Sequence, residues 1–359
     1  MGHDVIEDRY ARLYEQPFQL AELGHDVLGV CLSYRNCTTK DELHSTTKGS
    51  MRWIGLSAGK LRLNLVTYPF SLLNIAREFK PDIIVGASDC LHVALGYQIA
   101  RTLKIKFAAD LYDNFESFGL AQIPSLKYFY RRALINAQAV SCVSEPLAKL
   151  VKKTYLARGD VFALHSTIDK SIFFGRDKQE CRKKLGLPRN AQLIGTAGGL
   201  SRDKGIEPVY AAFLELKERN PNLHLVIAGA IDQNCPPPNN PHVHYLGALP
   251  HREVATLFGA LDVAIVYLRN TPYGIYSFPQ KIYEICACQV PVVVANVGSM
   301  SKLFENSADI LYNPDNAAHL ACAIENQLTA PSYSKLAIMD WKDQAHILEN
   351  VYEKILSDG

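Results

Sequence analysis

Residues 273–295 read YGIYSFPQKIYEICACQVPVVVA, and they contain the start of a helix and the strand that follows it. The last six residues, 290–295, form a β-branched apolar run of the kind that lies in the middle of a parallel sheet. At the other end, Ser277 and Gln280 have the spacing of a capping box, and Pro279 falls where a helix tolerates a missing N–H group. The stretch therefore predicts a helix that begins near Ser277 and a buried strand after it.

Lys281 lies in the first turns of the predicted helix, and Glu284 follows three residues later on the same face. The first N–H groups of a helix have no partners within it, so the N-terminus of a helix attracts anions. A cation suited to phosphate and a carboxylate suited to a diol would together bind a nucleotide-sugar. The alternative is an ordinary i,i+3 ion pair on the surface, worth about 0.3 kcal/mol.

The order Pro-x-Lys-x-x-Glu, a turn of helix and then Pro-Val-Val-Val-Ala resembles the donor-site signature of retaining GT-B glycosyltransferases of family 4, also called glycosyl transferases group 1. In that family the Glu holds the ribose hydroxyls of the nucleotide, and the preceding loop holds the diphosphate or the sugar. The resemblance therefore implies that Glu284 contacts the ribose and that Lys281 contacts the diphosphate. It implies further donor contacts from Tyr276, Ser277, Phe278 and Pro279. Tyr276 departs from the family, which usually carries another Glu at this place.

The second half of the chain begins its strand and helix alternation with a predicted strand at residues 192–196. Gly198 and Gly199 follow it, and two glycines let the backbone approach a ligand closely. Lys204 then stands near a predicted helix N-terminus, where it suits a diphosphate. The family has Gly-Arg-Leu-x-x-x-Lys-Gly here. Lys204 matches the family Lys, but Gly199 stands at the Arg position, so Arg202 would have to replace that Arg from another place in the loop.

Composition limits the other function classes. The chain has 359 residues, 48% of them hydrophobic and 21% charged, which is enough for two domains with separate cores. A net charge of +2 does not indicate a nucleic-acid partner. The nine cysteines include no Cys-x-x-Cys pair, which favours buried thiols in a reducing compartment over a metal site. We find no signal peptide and no apolar run of about 18 residues, and we expect a cytoplasmic protein with no metal or cofactor.

In the first half, predicted strands at residues 82–86 and 105–109 alternate with helices, which favours a parallel sheet. Asp110, Asp113 and Glu116 follow the second strand, where ligands of such sheets bind. They could orient an acceptor hydroxyl or accept its proton, or they could cap the next helix. The family often has a His in this region, and Asp110 or Asp113 would take its place.

The start of the chain departs from the expected pattern. Doubly wound domains open with an apolar strand and a glycine turn, whereas this chain runs almost directly into a helix. Residues 23–27, Leu-Gly-His-Asp-Val, resemble a phrase that follows this first helix in the family. We expect the first strand to be missing or reduced, so that Gly2 is what remains of the turn that approaches the donor.

A basic and aromatic cluster, Lys-Tyr-Phe-Tyr-Arg-Arg, spans residues 127–132. Helical spacing places Lys127, Arg131 and Arg132 along one side. This side could lie on an anionic membrane, with about 1 kcal/mol from each cation, and a lipid-linked acceptor would fit that role. It could equally be the solvated side of a packed helix, which we favour slightly.

Together these features predict the GT-B fold, an α/β architecture with two Rossmann-like, doubly wound domains that face a cleft. We expect an N-terminal acceptor-side domain at 1–170, a donor domain at 171–335 and a helix at 336–359 that packs back on the first domain. The resemblance places the nucleotide base near Gly247 and Leu249. It implies a retaining, metal-independent transfer from a nucleotide-diphosphate sugar, the co-substrate, to a sugar or lipid-linked acceptor. A nucleotide-sugar epimerase and a non-catalytic partner subunit are the alternatives.

Overall fold

The computed structural model describes residues 5–33, 39–58, 64, 66–117 and 123–357. The chain forms two compact units. Unit 1 comprises Met1–Thr167 together with Met339–Gly359, and unit 2 comprises Ile168–Ile338. Gly2, which the sequence predicts to approach the donor, lies outside the described residues.

Unit 1 alternates strands and helices along most of its length. Up to residue 167 its elements are α1 (Val5–Asp8), α2 (Arg12–Leu23), β1 (Asp26–Ser33), β2 (Lys40–His44), β3 (Ser50–Ser57), α3 (Tyr68–Phe79), β4 (Ile83–Gly86), α4 (Cys90–Leu103), β5 (Lys106–Leu111), α5 (Pro124–Asn136), β6 (Ala139–Cys142), α6 (Glu145–Lys153) and β7 (Asp160–Ala163). Among the described residues, β4 to β7 form a parallel sheet, and a second, mixed sheet has the strand order β1-β3-β2.

One strand of unit 1 runs antiparallel to its neighbour. β2 pairs with β3 antiparallel, whereas β1 pairs with β3 parallel. Only residues 45–49 connect β2 to β3. A connection this short can join antiparallel strands, because a parallel pair needs a crossover of about a dozen residues or more. The predicted strands of this half lie in the parallel sheet of β4 to β7, and the antiparallel β2 lies outside them.

Unit 2 is a six-stranded sheet with helices between its strands. Its elements are α7 (Lys178–Lys184), β8 (Gln192–Ala197), α8 (Glu207–Arg219), β9 (Leu223–Ala228), β10 (Val243–Tyr245), α9 (His251–Ala260), β11 (Val263–Val266), α10 (Pro272–Tyr276), α11 (Lys281–Ala287), β12 (Val292–Ala295), α12 (Ser299–Leu303), β13 (Leu311–Tyr312) and α13 (Ala317–Thr329). The strand order is β10-β9-β8-β11-β12-β13, and all five pairs are parallel.

The central strands of unit 2 explain the apolar runs in the sequence. Every residue of β11 and β12 is buried. A strand covered by helices on both faces must be apolar on both faces, so it reads as a continuous β-branched run and not as an alternating pattern. Fully burying each Val or Ile side chain contributes about 2 kcal/mol.

The last helix, α14 (Trp341–Ser357), belongs to unit 1. Ile355 packs with Ala108 and Ala139, which lie in β5 and β6. The Lys354 ammonium pairs with Asp160 at 2.8 Å, and the His25 ring lies 2.9 Å from a carboxylate oxygen of Glu349. Apolar burial therefore fixes one side of α14, and exposed ion pairs, which contribute little, lie at its edge.

Candidate functional site

The sheet of unit 2 reverses its direction of growth between the central strands β8 and β11. From β8 the chain builds outward through β9 and β10, and it then returns to place β11, β12 and β13 on the other side. In open parallel sheets, ligands bind beyond the carboxyl ends of the strands at such a switch point. The residues that follow β8 and β11, Gly198-Gly199 and Tyr267, therefore mark the place where a ligand is expected.

A hydrogen bond joins the two loops at this point. The hydroxyl of the buried Tyr267 donates to the Gly199 carbonyl at 2.7 Å. Burial raises the pKa of Tyr267 above its ordinary value, so the phenol keeps its proton and remains a donor. The backbone after β8 is thereby held against the residue that follows β11.

Two lysine ammonium groups converge on the same glycine turn. A Cβ atom added to Gly198 would lie 3.3 Å from Lys281 Nζ, and one added to Gly199 would lie 3.0 Å from Lys204 Nζ. Gly198 also has a φ of +121°, which residues with side chains rarely adopt. The two glycines therefore leave room for both ammonium groups directly above the turn.

Lys281 is the first residue of α11, and its ammonium nitrogen lies 4.7 Å from the centre of the Tyr267 ring. Burial lowers the pKa of Lys281 to about 8, aided by the charge of Lys204 and opposed by that of Glu284. Two like charges held close together in a partly desolvated place are stabilised by a bound anion. The pair is therefore suited to a diphosphate.

Arg202, predicted to take the place of the family Arg, is engaged elsewhere. It begins the short 3-10 helix Arg202–Lys204. Its Nε lies 3.0 Å from Oε1 of Glu207, the first residue of α8. The structure thus brings Lys204 and Lys281 together at the glycine turn, but it pairs the Arg202 guanidinium with Glu207.

Glu284 lies one helical turn after Lys281 and is 8% exposed. Its Oε1 accepts a hydrogen bond from Gln280 Nε2 at 3.2 Å and lies 3.4 Å from His251 Nε2. The carboxylate predicted to hold the ribose diol therefore has one oxygen anchored by two side chains. His251 was not predicted as a site residue, because it stands 33 positions before Glu284 and shares no local pattern with it.

The helix that carries Lys281 begins later than the capping-box pattern predicts. α11 starts at Lys281 with Gln280 as its N-cap residue, and no side chain caps it. Ser277 is instead the C-cap residue of the preceding helix α10. Its N–H donates to the Tyr273 carbonyl at 3.0 Å, and its hydroxyl donates to the Gly274 carbonyl at 3.4 Å. The predicted capping box is therefore wrong, and the Ser277 amide is already engaged within the protein.

The remaining residues predicted to bind the donor in this loop lie between α10 and α11. Tyr276 is the last residue of α10. Phe278 is buried, with its ring centre 5.0 Å from that of Tyr283. The Pro279 carbonyl accepts the Ile282 N–H at 2.9 Å. The loop is thus packed against the first turn of α11, which places it beside Lys281.

Gly247 belongs to the same edge of the sheet. Its carbonyl accepts the Gly229 N–H at 2.7 Å, and a Cβ added to Gly229 would lie 1.9 Å from the Gly198 carbonyl oxygen. Three glycines that follow β8, β9 and β10 therefore form a continuous surface of backbone. Leu249 is half-buried in the loop between Gly247 and α9, on the side where the sequence predicts the nucleotide base.

In unit 1, Asp110 does not lie where the sequence predicts. It lies inside β5 and is 4% exposed. Arg12 Nε lies 2.9 and 3.1 Å from its two oxygens, Arg12 Nη2 lies 2.5 Å from Oδ1, and the Ser141 hydroxyl also donates to Oδ1. The expectation that Asp110 follows the strand is wrong, because Leu111 extends β5 by pairing with Cys142. Asp110 ties α2 to β5 and β6.

Asp113 does follow β5, as predicted, and its Oδ1 accepts the Asn114 N–H at 2.7 Å. Glu116 lies in the next turn, within the 3-10 helix Phe115–Ser117. Of the three carboxylates predicted to act on an acceptor, these two stand after the strand.

The predicted basic face of α5 is partly neutralised by this acidic loop. Arg131 donates to both oxygens of Glu116, at 2.6 and 2.8 Å, and Lys127 Nζ lies 3.2 Å from the same carboxylate. Arg132 is exposed, and its Nη1 donates to the Tyr128 hydroxyl at 3.2 Å. The three cations therefore do not act as one free positive surface.

A hydrogen-bonded chain of side chains, Asp89–His92–Tyr68, stands after β4 and was not predicted from the sequence. Asp89 caps α4 by accepting the His92 N–H at 2.9 Å, and the same oxygen lies 2.9 Å from His92 Nδ1. His92 Nε2 lies 3.0 Å from the Tyr68 hydroxyl. Burial acts to raise the pKa of Asp89, but the hydrogen bonds and charge of His92, together with the Leu91 N–H, lower it overall. The Asp-x-x-His spacing was a visible N-cap signal; the contact with Tyr68 was not.

This chain lies near the acidic loop after β5. Burial and the charges of Asp113 and Asp89 raise the pKa of Tyr112 to about 12. The two carboxylates therefore act on one side chain, at the carboxyl edge of the same sheet. Neighbouring carboxylate and imidazole groups can orient a hydroxyl and accept its proton.

The described residues contain no group of three or more His, Cys, Asp or Glu side chains suited to a metal ion. None of their helices is long and apolar enough to cross a membrane.

Two family models match the chain, one in each unit. The model described as "Glycosyl transferase 4-like domain" matches residues 12–165, and the model described as "Glycosyl transferases group 1" matches residues 177–339. The second match contains Lys204, Lys281 and Glu284.

Curated relatives carry glycosyltransferase names. TuaC of Bacillus subtilis, whose name assigns it to teichuronic acid biosynthesis, is 31% identical over 197 residues, which are 54% of this chain and 48% of TuaC. The D-inositol 3-phosphate glycosyltransferase of Corynebacterium aurimucosum is 26% identical over 346 residues, which cover 84% of this chain and 79% of that protein. The matched part of this chain thus spans about half the length of TuaC.

Solved structures share the fold. Sucrose-phosphate synthase from Thermosynechococcus elongatus aligns over 97% of this chain and 93% of its own, with a TM-score of 0.80 at 18% identity. Anabaena HepE, solved in complex with UDP-glucose, aligns over 82% of this chain and 83% of its own, with a TM-score of 0.62 at 17% identity. These likenesses confirm the predicted fold class, two Rossmann-like units in the GT-B arrangement of elements. Since family models match both halves, this chain belongs to the GT-B glycosyltransferases of family 4 type.

Proposed function

We propose that this protein transfers a hexosyl group from a nucleoside-diphosphate sugar to a hydroxyl acceptor. The observation that carries the proposal is the convergence of Lys204 and Lys281 on the Gly198-Gly199 turn, at the switch point of the unit 2 sheet. Cations over a backbone turn suit a diphosphate. Anabaena HepE, which shares the fold, was solved with UDP-glucose, and this supports a nucleotide-sugar donor.

In the proposed reaction, the bond between the anomeric carbon and the diphosphate oxygen breaks, and the acceptor oxygen forms a new bond to that carbon. Negative charge grows on the departing diphosphate. The ammonium groups of Lys204 and Lys281 would stabilise this charge, and loss of one such group costs about 10²–10³ in rate. Glu284 would hold the ribose hydroxyls. Because the chain itself supplies these cations, we propose a reaction that needs no added metal ion.

For the acceptor, we propose a sugar hydroxyl of a polysaccharide, a glycolipid or a lipid-linked saccharide. As the new bond forms, the acceptor proton would pass to the departing diphosphate oxygen, on which negative charge grows. Asp113 and the Asp89–His92 pair, at the carboxyl edge of the unit 1 sheet, would hydrogen-bond to hydroxyl groups of the acceptor. The names of the relatives, which refer to teichuronic acid and D-inositol 3-phosphate, support a polyhydroxyl acceptor. Retention of anomeric configuration is proposed from the family resemblance alone, and the anomeric proton signals of the product in NMR would test it.

We also propose a cytoplasmic protein that contacts a membrane surface through the start of α5. Ile123, Tyr128 and Phe129 are 48%, 57% and 44% exposed, and the exposed Arg132 lies on the same helix. Apolar and aromatic side chains beside a cation suit the interface of an anionic membrane. This contact would bring the protein to a lipid-linked acceptor.

The first experiment is calorimetric binding of UDP, GDP and ADP and of their hexose derivatives, followed by a hydrolysis assay in excess EDTA. We expect one nucleotide to bind and its sugar to be hydrolysed slowly at an unchanged rate in EDTA. Loss of hydrolysis in EDTA would overturn metal independence. Binding without any turnover would instead favour a non-catalytic partner subunit, and an epimerised sugar would favour an epimerase. Binding of none of the nucleotides would overturn the proposed function.

A further inference from the structure

We infer that His251 is a positioning residue that aims the Glu284 carboxylate at the ribose diol, so that the site selects ribonucleotides over 2′-deoxyribonucleotides. This inference rests on the proposed function, because it concerns the nucleotide part of the same donor. His251 matches none of the family motifs identified in the sequence, and its contact with Glu284 connects it to the site.

The arrangement of donors on Glu284 is one-sided. Oε1 accepts from Gln280 Nε2 at 3.2 Å and lies 3.4 Å from His251 Nε2. Within the part of the chain that the structure describes, no hydrogen bond to Oε2 is found. A carboxylate oxygen can accept two hydrogen bonds or more. With Oε1 occupied by two side chains, Oε2 is the oxygen left to accept hydroxyl groups from a ligand.

The two donors approach Glu284 from different elements. Gln280 precedes α11, the helix that contains Glu284, whereas His251 is the first residue of α9. A single hydrogen bond from Gln280, the N-cap residue of α11, leaves the carboxylate more freedom to rotate about its own side-chain bonds than two hydrogen bonds do. A second donor from a neighbouring helix fixes the plane of the carboxylate in space, as ligand-orienting hydrogen bonds do in other sites.

His251 is itself held in place. The centre of its ring lies 5.1 Å from that of Phe173, at an interplanar angle of 61°, and Phe173 is 1% exposed. An edge-to-face contact with a fully buried ring fixes the imidazole plane. Since a carboxylate cannot donate, His251 Nε2 must carry the proton in this contact, whether the ring is neutral or charged.

The position of His251 along the chain connects two parts of the proposed ligand site. The loop that begins at Gly247 ends at His251, and the sequence predicts the base near Gly247 and Leu249. The same loop therefore leads from the residues proposed for the base to the residue that orients the ribose carboxylate. Movement of this loop on binding of the base would be transmitted to Glu284 through one hydrogen bond.

The test compares two ligands that differ by one hydroxyl group. Calorimetry with the best-binding nucleoside diphosphate and its 2′-deoxy analogue is carried out on the full chain and on the variants His251→Ala, His251→Gln and Glu284→Gln. We expect the unaltered chain to bind the ribonucleotide about tenfold more tightly, as one hydrogen bond to a charged group allows. In His251→Ala this ratio should fall to about 2, with the affinity for the deoxy analogue unchanged.

His251→Gln keeps an N–H donor at this place and should restore most of the ratio. It also serves as the second variant if His251→Ala does not fold. In Glu284→Gln the ratio should be lost, and adding His251→Ala to that variant should change it no further, because the two residues act on one hydroxyl contact.

The inference would be overturned by an equal loss of affinity for both nucleotides in His251→Ala, which is the result of a purely structural role. An unchanged ratio in His251→Ala would also overturn it. So would equal binding of both nucleotides by the unaltered chain, although the proposed function would survive that result. If the unaltered chain binds no nucleotide, the proposed function itself fails.

Discussion

The ring of Tyr267 contacts both halves of the proposed phosphate site: Lys281 Nζ lies 4.7 Å from the ring centre, and the ring hydroxyl donates to the Gly199 carbonyl at 2.7 Å. One buried residue after β11 therefore positions a cation from α11 over a backbone turn that follows β8. The aromatic face offsets part of the desolvation of the ammonium, because a ring face attracts a cation. The hydroxyl fixes the backbone that the cation faces. Lys281 is thus placed for an anion before any anion binds.

We expect Lys281→Ala to lower turnover of the nucleotide-sugar by about 10²–10³, since one cation at the departing diphosphate is removed. The melting temperature should stay within about 2 °C or rise, because burial already disfavours the charged form of this side chain. Turnover and thermal unfolding measured on the same preparation check this. The matched control is Lys302→Ala, an exposed lysine in α12, which should leave both unchanged. Losses of equal size in activity and stability would show that Lys281 is only structural.

The pH dependence of nucleotide binding should follow the charge of Lys281. Its pKa is lowered from 10.5 to about 8, so the side chain is a cation below pH 8 and loses its charge above it. Affinity for a nucleoside diphosphate should therefore be constant from pH 6.5 to 7.5 and then fall, approaching tenfold per pH unit above the pKa of the free protein. Calorimetry across this range measures it. Lys281→Arg, which stays charged, should abolish the fall, and the same fall in that variant would assign it to another group.

The same shift has a consequence for stability. Because the folded-state pKa of Lys281 lies below the unfolded-state value, the unfolded chain binds more protons between about pH 8 and 10.4. The contribution of Lys281 to the free energy of unfolding therefore rises with pH across that window, opposite in direction to nucleotide affinity. The free energy of unfolding should therefore rise less steeply with pH in Lys281→Ala than in the unaltered chain. The slopes should differ by up to 2.303RT per pH unit, which corresponds to one proton.

Gly199→Ala should lower the affinity for the nucleotide and leave the stability of the fold nearly unchanged. The added Cβ would lie 3.0 Å from Lys204 Nζ, which is the far end of a flexible side chain. The ammonium group can move aside, so the free energy of unfolding should change by less than about 1 kcal/mol, whereas nucleotide affinity should fall about tenfold. The control Gly186→Ala has the opposite character: φ is +65° with open space around the Cβ, so it should cost about 1 kcal/mol of stability and no affinity. Identical effects of the two changes would contradict the proposed role of the turn.

The membrane contact predicts a loss of vesicle binding when the exposed aromatic residues of α5 are made polar. Tyr128 and Phe129 contact each other with ring centres 5.5 Å apart. Replacing both with Ser should lower co-sedimentation with phosphatidylglycerol vesicles about fivefold or more, with no change in unfolding, since both side chains are exposed. Tyr333, which has the same 57% exposure as Tyr128 but lies in unit 2, provides the control Tyr333→Ser. Equal vesicle binding by the unaltered chain and all of these variants would show that Tyr128 and Phe129 do not contact the membrane.

The fold could be predicted from the sequence because the buried strands are continuous apolar runs. The predicted strands at residues 82–86 and 192–196 correspond to β4 (Ile83–Gly86) and β8 (Gln192–Ala197), and the apolar run 290–295 contains β12 (Val292–Ala295). These features are decided within a few residues, where periodicity operates. The family signature then joined them into one architecture, which the comparisons confirm.

The predictions were wrong where the position of a residue depends on a partner that is distant in the sequence or was not considered. Asp110 reads as a loop residue, but Arg12, 98 positions earlier, neutralises it inside β5. Ser277 has the pattern of an N-cap, but a short helix that begins at Pro272, with Thr271 as its N-cap residue, already has Ser277 as its C-cap residue. The roles predicted for the site residues stay predictions, and the geometry supports them unequally. It brings Lys204 and Lys281 together, anchors Glu284 and engages Arg202 elsewhere.

Asp110→Asn should lower the free energy of unfolding far more than it lowers the rate of donor hydrolysis. The change leaves the Arg12 guanidinium, 3% exposed, without a charged partner in a desolvated place, and breaking a buried pair in this way costs about 3–5 kcal/mol. Asp113→Asn makes the same chemical change three residues later, where the amide oxygen can still accept the Asn114 N–H, so it should cost less than about 1 kcal/mol. Urea unfolding measures both. In folded protein, Asp110→Asn should keep donor hydrolysis near that of the unaltered chain. A stable Asp110→Asn variant that hydrolyses no donor would return Asp110 to a catalytic role.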